Sequence, residues 1–343
     1  MTFHAEAFVA DDHVAFAVPE AAQAEPATAT CRIRLSPRHG NGECGARVRY
    51  ALYGAAAAPV VVVQGGISAD CHAAARSGAG GWWADLVGDE RAIDTRRVRV
   101  LSIEWLERAD FDDGAELRAI GSEDQADAIA AVLGELGIRH LHAFVGASYG
   151  AMVGLAFAAR HPERLQRLVA IAGAHRAHPL AVAVRNLQRE IVRLADSLGD
   201  VGAGLDLARR LAMTTYRGER EFAERCAGAP AFRDGRYRFA EEDWLCAAGA
   251  RFVERFGAAR FLCLSESIDL HAVRPEDVRV PMTLVGIASD RVVPLADLCE
   301  LQRRCGAPAA LHVIDSRYGH DAFLKEPQQI GPLVRDAIDA EGV

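Results

Sequence analysis

Val145-Gly146-Ala147-Ser148-Tyr149-Gly150 carries a Gly-x-Ser-x-Gly string between two patterned segments. Residues 141–145 are mostly apolar and read as a strand; residues 151–160 follow a helical pattern. A strand, a sharp turn and a helix with serine at the apex is the setting in which this string forms a nucleophile elbow. The glycines suit it because the turn is tight and the flanking elements pack closely, leaving no room for a Cβ. With 31 glycines in the chain the string alone arises easily by chance, and a plain strand-to-helix turn is the competing reading. The flanking pattern favours the elbow.

Upstream, Pro59-Val60-Val61-Val62-Val63 is an unbroken β-branched run, the signature of a strand buried on both faces of a parallel sheet. It leads into Gln64-Gly65-Gly66-Ile67-Ser68. Two glycines at a strand end allow backbone N–H groups to face a ligand, as one half of an oxyanion hole, with the N–H of Tyr149 as the other; a flexible turn is the alternative. Residues 31–35 and 47–53 read as strands, the latter antiparallel, and residues 98–103 as another. Ser122 reads as the N-cap of a helix with Glu123 and Asp124 in its first turn, ending near Gly137. Residues 165–171 supply one more parallel strand.

From 175 to about 273 the pattern turns helical and amphipathic, with segments at 179–198, 203–214 and 240–256 and a Gly- and Arg-rich stretch at 217–238. Strands return at 280–286 and 310–314, with helices near 296–304 and 327–340. The expected architecture is a mostly parallel, doubly wound α/β sheet with an inserted helical cap. Its divisions are an N-terminal arm (1–28), a first core part (29–174), the cap (175–275) and a second core part (276–343).

Two further residues complete a constellation. Asp290 lies just past the strand at 280–286, and His320 just past the strand at 310–314. Serine is a poor nucleophile until a base takes its proton; histidine can take and return it, and a carboxylate fixes the imidazole tautomer. Singly, an aspartate after a strand caps a helix, here one near Leu295, and a histidine there is an ordinary loop residue. The order Ser148, Asp290, His320, each at the strand ends where α/β sheets bind ligands, argues for a triad. A triad defines acyl transfer through a seryl ester and leaves the acceptor open to water, alcohol or thiol.

The chain has 343 residues and a net charge of −8 without a basic cluster, which argues against nucleic acid as a partner. No apolar run is long enough to span a bilayer, and residues 1–29 lack the basic and apolar regions of a signal peptide. Eight scattered cysteines without a Cys-x-x-Cys pair read as reduced thiols of a cytoplasmic protein, and no His/Cys spacing supports a metal.

Gly65-Gly66-Ile67-Ser68-Ala69-Asp70-Cys71-His72, Gly81-Trp82-Trp83, Ala92-Ile93-Asp94-Thr95, Leu187-Gln188-Arg189 and Gly319-His320-Asp321-Ala322-Phe323-Leu324 together resemble the homoserine O-acyltransferase family, which has the α/β-hydrolase fold. The resemblance runs from about residue 47 to the C-terminus. It implies ping-pong transfer of a succinyl or acetyl group from CoA to the hydroxyl of homoserine or, in one branch, serine. Acyl-CoA is then a co-substrate and no cofactor is needed. By resemblance Ser148 is the nucleophile, His320 the base and Asp290 its orienter. The N–H of Tyr149 and one from the Gln64-Gly65 turn hold the oxyanion, and Asp321 faces the substrate ammonium. A homodimer formed through the cap is also implied. The chain departs from the family in a shorter segment at 104–121 and in Cys246, which stands where the acetyl branch often has an arginine suited to the substrate carboxylate. Arg185, Arg176 and Arg251 are the candidates to replace it. A succinyl donor and homoserine are the favoured pair, because the Leu187-Gln188-Arg189-Glu190 helix and the divergent cap look more like the succinyl branches. Acetyl transfer, serine as acceptor and esterase action are the competing readings.

Overall fold

The four valines after Pro59 are all buried, and they form the strand on which the sheet is centred. Val60 and Val62 enter one apolar cluster and Val61 and Val63 a second one on the opposite face. A strand has a side-chain period of two, so this run needs cover on both sides. The computed structural model describes residues 26–112 and 117–340.

In chain order the first part comprises β1 (Ala27–Leu35), β2 (Cys44–Tyr53), β3 (Val60–Gln64), a short pair β4 (Val87–Gly88) and β5 (Ile93–Asp94), β6 (Arg99–Ile103), α1 (Ser122–Glu135), β7 (Ala143–Ala147), α2 (Tyr149–Arg160) and β8 (Leu168–Ile171). Next come α3 (Pro179–Ser197), α4 (Val201–Tyr216), α5 (Glu219–Arg225), a hairpin of β9 (Ala231–Arg233) and β10 (Arg236–Arg238), α6 (Ala240–Val253) and α7 (Ala258–Asp269). The chain then returns to the sheet with β11 (Met282–Ile287), α8 (Leu295–Arg304), β12 (Ala309–Ile314), α9 (Ala322–Lys325) and α10 (Pro327–Asp339).

Eight strands make one sheet in the order β1-β2-β6-β3-β7-β8-β11-β12. β1 and β2 pair antiparallel, as do β2 and β6; the other pairs are parallel. The chain leaves β3 to one side for β6 and then crosses to β7 on the other. The strand order therefore reverses at β3, and the crevice above its C-terminal end is where such sheets bind ligands. This is the α/β-hydrolase fold, with five helices and a hairpin between β8 and β11.

Three local readings change. Residues 1–25 of the expected arm lie outside the described residues, while Ala27 and Thr28 already pair with Leu52 and Ala51 in β1. The stretch at 217–238 holds α5 and the hairpin, whose turn places Asp234 (φ 52°) and Gly235 (φ 77°) in the left-handed region that two-residue hairpins need. Ser122 is not the N-cap of α1. Gly121 is, and its N–H is taken by Asp124 Oδ2 at 2.7 Å. The Ser122 hydroxyl instead meets Nδ1 of buried His271 at 2.7 Å.

Candidate active site

Ser148 sits between β7 and α2 with φ 55° and ψ −117°, a conformation non-glycine residues avoid. Such a residue costs on the order of 1–3 kcal/mol and persists only when its surroundings force it. The forcing contacts are short. The Ser148 N–H donates to Ile171 O at 2.8 Å, and the Gly150 N–H to Gly65 O at 2.9 Å. A Cβ on Gly146 would stand 2.3 Å from Gly150 O, and one on Gly150 only 2.1 Å from Gln64 O. The elbow therefore closes only with glycine on both sides, and it lifts the serine hydroxyl out of the turn.

His320 and Asp290 come to that hydroxyl from separate loops. The Ser148 hydroxyl donates to His320 Nε2 at 2.7 Å, while His320 Nδ1–H donates to Asp290 Oδ2 at 2.7 Å. Asp290 does not cap α8, whose N-cap is Pro294. Its Oδ1 instead accepts the N–H groups of Val292 and Val293 at 2.7 and 2.9 Å, which fixes the carboxylate. Asp290 and His320 are both buried. Burial by itself would lower the basicity of His320, but Asp290, through its charge and hydrogen bond, and then Asp321 outweigh that and raise it above the usual histidine value.

The Gly65-Gly66 turn borders the elbow. A Cβ on Gly65 would lie 2.9 Å from the Trp82 ring. Gly66 O accepts from the Trp105 indole at 2.9 Å, and Trp105 packs edge-on against the Tyr149 ring, with 4.9 Å between centroids. The Gln64 side chain ties the end of β3 to β6 by accepting the Ile103 N–H at 2.8 Å. Tyr149 is the first residue of α2, so its N–H has no intrahelical acceptor. Its side chain is buried, with the hydroxyl 2.6 Å from Ser267 Oγ. The Trp82–Trp83 pair has a positional effect: Trp83 Nε1 donates to Phe323 O at 2.8 Å and so anchors the segment after His320.

Several buried charged groups lie on the insertion and next to His320. Asp321 Oδ2 is 2.8 Å from Arg217 Nε, and Arg217 Nη1 also reaches both oxygens of buried Glu221. Arg185 is buried and bonds Asp269 Oδ1 at 2.6 Å. The Tyr216 ring stands 5.7 Å from His320, with the Arg209 guanidinium 5.6 Å from its centroid. Arg176 is not part of this group. Half-exposed, it pairs instead with two acids of α8, Glu300 at 2.9 Å and Asp297 at 3.7 Å. Arg251 sits in the last turn of α6. Arg217, Asp269, Arg209 and Tyr216 were not singled out from the sequence. The one local signal was on α3, where Arg185 and Arg189 share its buried face at helical spacing.

Fold and site together place the chain in the α/β-hydrolase class, and the model for the alpha/beta hydrolase fold matches residues 102–327. The chain belongs to the homoserine O-acyltransferase family. It is 48% identical over 312 residues to a homoserine O-succinyltransferase of Xanthomonas campestris pv. campestris, covering 90% of this chain and 83% of that one. An L-serine/homoserine O-acetyltransferase of Streptomyces lavendulae is 32% identical, covering 87% of this chain and 92% of its own. The crystal structure of homoserine O-acetyltransferase from Bacillus anthracis superposes with a TM-score of 0.82 at 18% identity, covering 92% of this chain and 99% of its own.

Proposed function

We propose that the protein transfers a succinyl group from CoA to the hydroxyl of L-homoserine, a step of methionine biosynthesis, by a ping-pong route. The observation that carries this reading is the Ser148–His320–Asp290 relay at a strained elbow, in a chain nearly half identical to a homoserine O-succinyltransferase. His320 Nε2 takes the Ser148 proton as Oγ attacks the thioester carbonyl. The N–H of Tyr149 and one from the Gln64-Gly65 turn hold the oxyanion, and the proton passes to the departing thiolate. The amino-acid hydroxyl then gives its proton to His320 and attacks the seryl ester.

Asp321 receives the substrate ammonium, exchanging it for Arg217, since a desolvated ammonium needs a counter-charge. Arg185 and Arg209 are the cations available to carboxylates. Leu180, Leu187 and Leu194 are exposed at intervals of seven along α3, with Leu198 beside them. This apolar stripe suits a homodimer contact through the helical insertion. Among the described residues no helix is long and apolar enough to cross a membrane, and no disulfide joins the cysteines; we place the enzyme in the cytoplasm.

The test is thiol release from succinyl-CoA and acetyl-CoA, each with homoserine, serine or water. Release dependent on homoserine and fastest with succinyl-CoA is expected. Equal release with water alone would replace this reading with an esterase.

A further inference from the structure

We propose that Trp105 is the positioning residue of the oxyanion hole, setting its two backbone donors against each other; the inference rests on the acyl-transfer reading above. The donors come from different strand ends. One is the N–H of Tyr149, past β7, and the other lies in the Gln64-Gly65 turn, past β3. Two glycines in a row give that turn no stiffness of its own. Trp105 follows β6, which pairs with β3 on the side away from β7. Its side chain touches both donor segments.

The Trp105 indole N–H donates to Gly66 O at 2.9 Å. Gly66 O also accepts the Ala69 N–H at 3.0 Å. That second bond is internal to the turn and moves with it, whereas the indole bond ties the turn to the end of β6. The indole ring packs edge-on against the Tyr149 ring, with 4.9 Å between centroids and 66° between planes. Tyr149 is held in place through its hydroxyl, 2.6 Å from Ser267 Oγ of α7. Trp105 is 1% exposed, so the carbonyl it serves is bonded out of water, where an unmet partner is costly.

A positioning group must itself be fixed. Before Trp105, the Glu104 N–H donates to Arg49 O at 2.8 Å. After it, the Leu106 N–H donates to the Gln125 side chain at 3.0 Å and Leu106 O accepts from it at 2.8 Å. Gln125 is buried on α1.

In acylation Ser148 Oγ bonds to the thioester carbon, the carbonyl electron pair moves to oxygen, and the serine proton goes to His320. The C–S bond then breaks and the thiolate takes that proton. The oxygen is anionic only between these events, and donors act most strongly on it when they are in place beforehand. A residue that sets their spacing therefore acts on the saturating rate and not on ground-state binding. It acts alike on every acyl group, since all present the same carbonyl.

The experiment follows acylation without amino acid, as thiol release from succinyl-CoA and acetyl-CoA and as nitrophenol release from p-nitrophenyl acetate. It compares wild type, Trp105→Phe and a variant with benzothienylalanine at position 105, which keeps the shape of tryptophan and lacks the N–H. The saturating rate with each thioester should fall about ten- to a hundredfold, with the half-saturating concentration near wild type. The second-order rate with the ester should fall by the same factor. Inhibition by propylboronic acid, whose tetrahedral adduct on serine is anionic, should weaken in step. An unchanged saturating rate in the folded benzothienylalanine variant overturns the proposal. So does a loss carried by the half-saturating concentration, or by one donor alone. Wild type acylated by the ester but by neither thioester sinks the acyl-transfer reading, and the ester rates then still decide on Trp105. Thioester acylation in wild type with both variants indifferent sinks only the assignment of Trp105.

Discussion

Asp321, the residue after His320, faces Arg217 at 2.8 Å. The pair keeps a carboxylate beside His320, and the Arg217 guanidinium is in turn held by Glu221. Asp321 also helps to raise the basicity of His320. Asp321→Asn should therefore have two effects. KM for the amino acid should rise about ten- to a hundredfold, with a much smaller loss on a simple ester. The acid limb of the rate profile should move to lower pH, because His320 must be neutral to act and the variant makes it easier to deprotonate. Steady-state kinetics across pH checks both. Equal losses on both substrates with an unmoved limb would assign Asp321 to the fold instead.

Ser148 separates stability from activity. Ser148→Ala removes the nucleophile but keeps a Cβ at φ 55°. It should lose turnover by at least on the order of 10⁴-fold and melt close to wild type. Ser148→Gly should be equally inactive and more stable than Ser148→Ala, by roughly 1 kcal/mol, because glycine accepts that backbone without strain. Thermal melts of both variants decide it. A glycine variant melting below the alanine one would contradict the strain.

Trp83 tests the anchoring of the base. Trp83→Phe keeps the packing and loses the bond to Phe323 O. The expected cost is about 1 kcal/mol of stability and a fall in kcat for every acyl donor alike, since the segment after His320 loses its tether. A change in one donor only would speak for a role in substrate choice.

How far the sequence could be read follows the range of the interactions. The valine run after Pro59 and the order Ser148, Asp290, His320 were readable because each signal is contained in a few adjacent residues, and the parallel topology brings strand ends to one edge. Ser122 was misread for the same reason. A serine before two acids looks like a cap, and its actual partner, His271, is 149 residues away. The arginines fare likewise. Arg176 and Arg185 look alike as residues at the start of a helical insertion, and only the placing of α8 and α7 shows that the first meets Glu300 and the second Asp269.

The leucine stripe of α3 predicts assembly. Leu187 and Leu194 are more than half exposed on one face of the helix. Leu187→Asp with Leu194→Asp should leave the monomer folded, since neither side chain is part of the core, and should shift sedimentation from dimer to monomer. A wild-type monomer at micromolar concentration would remove the dimer from the proposal.

His271 sets an acid limit on the fold. Its Nε2 lies 3.1 Å from Ala174 O, which can only accept, so Nε2 carries the proton and Nδ1 takes the Ser122 hydroxyl. Burial is the main cause that pushes its pKa down from 6.5 to about 3. The unfolded chain thus binds a proton that the folded chain refuses. Stability is complete above about pH 6.5 and declines as the pH falls toward 3, by about 2 kcal/mol at pH 5 from this residue. Denaturant unfolding at pH 7, 6 and 5 should show that slope in wild type. His271→Gln should be less stable at pH 7, having lost the bond from Ser122, yet flatter across the range. Parallel slopes in the two proteins would mean that the acid sensitivity arises elsewhere.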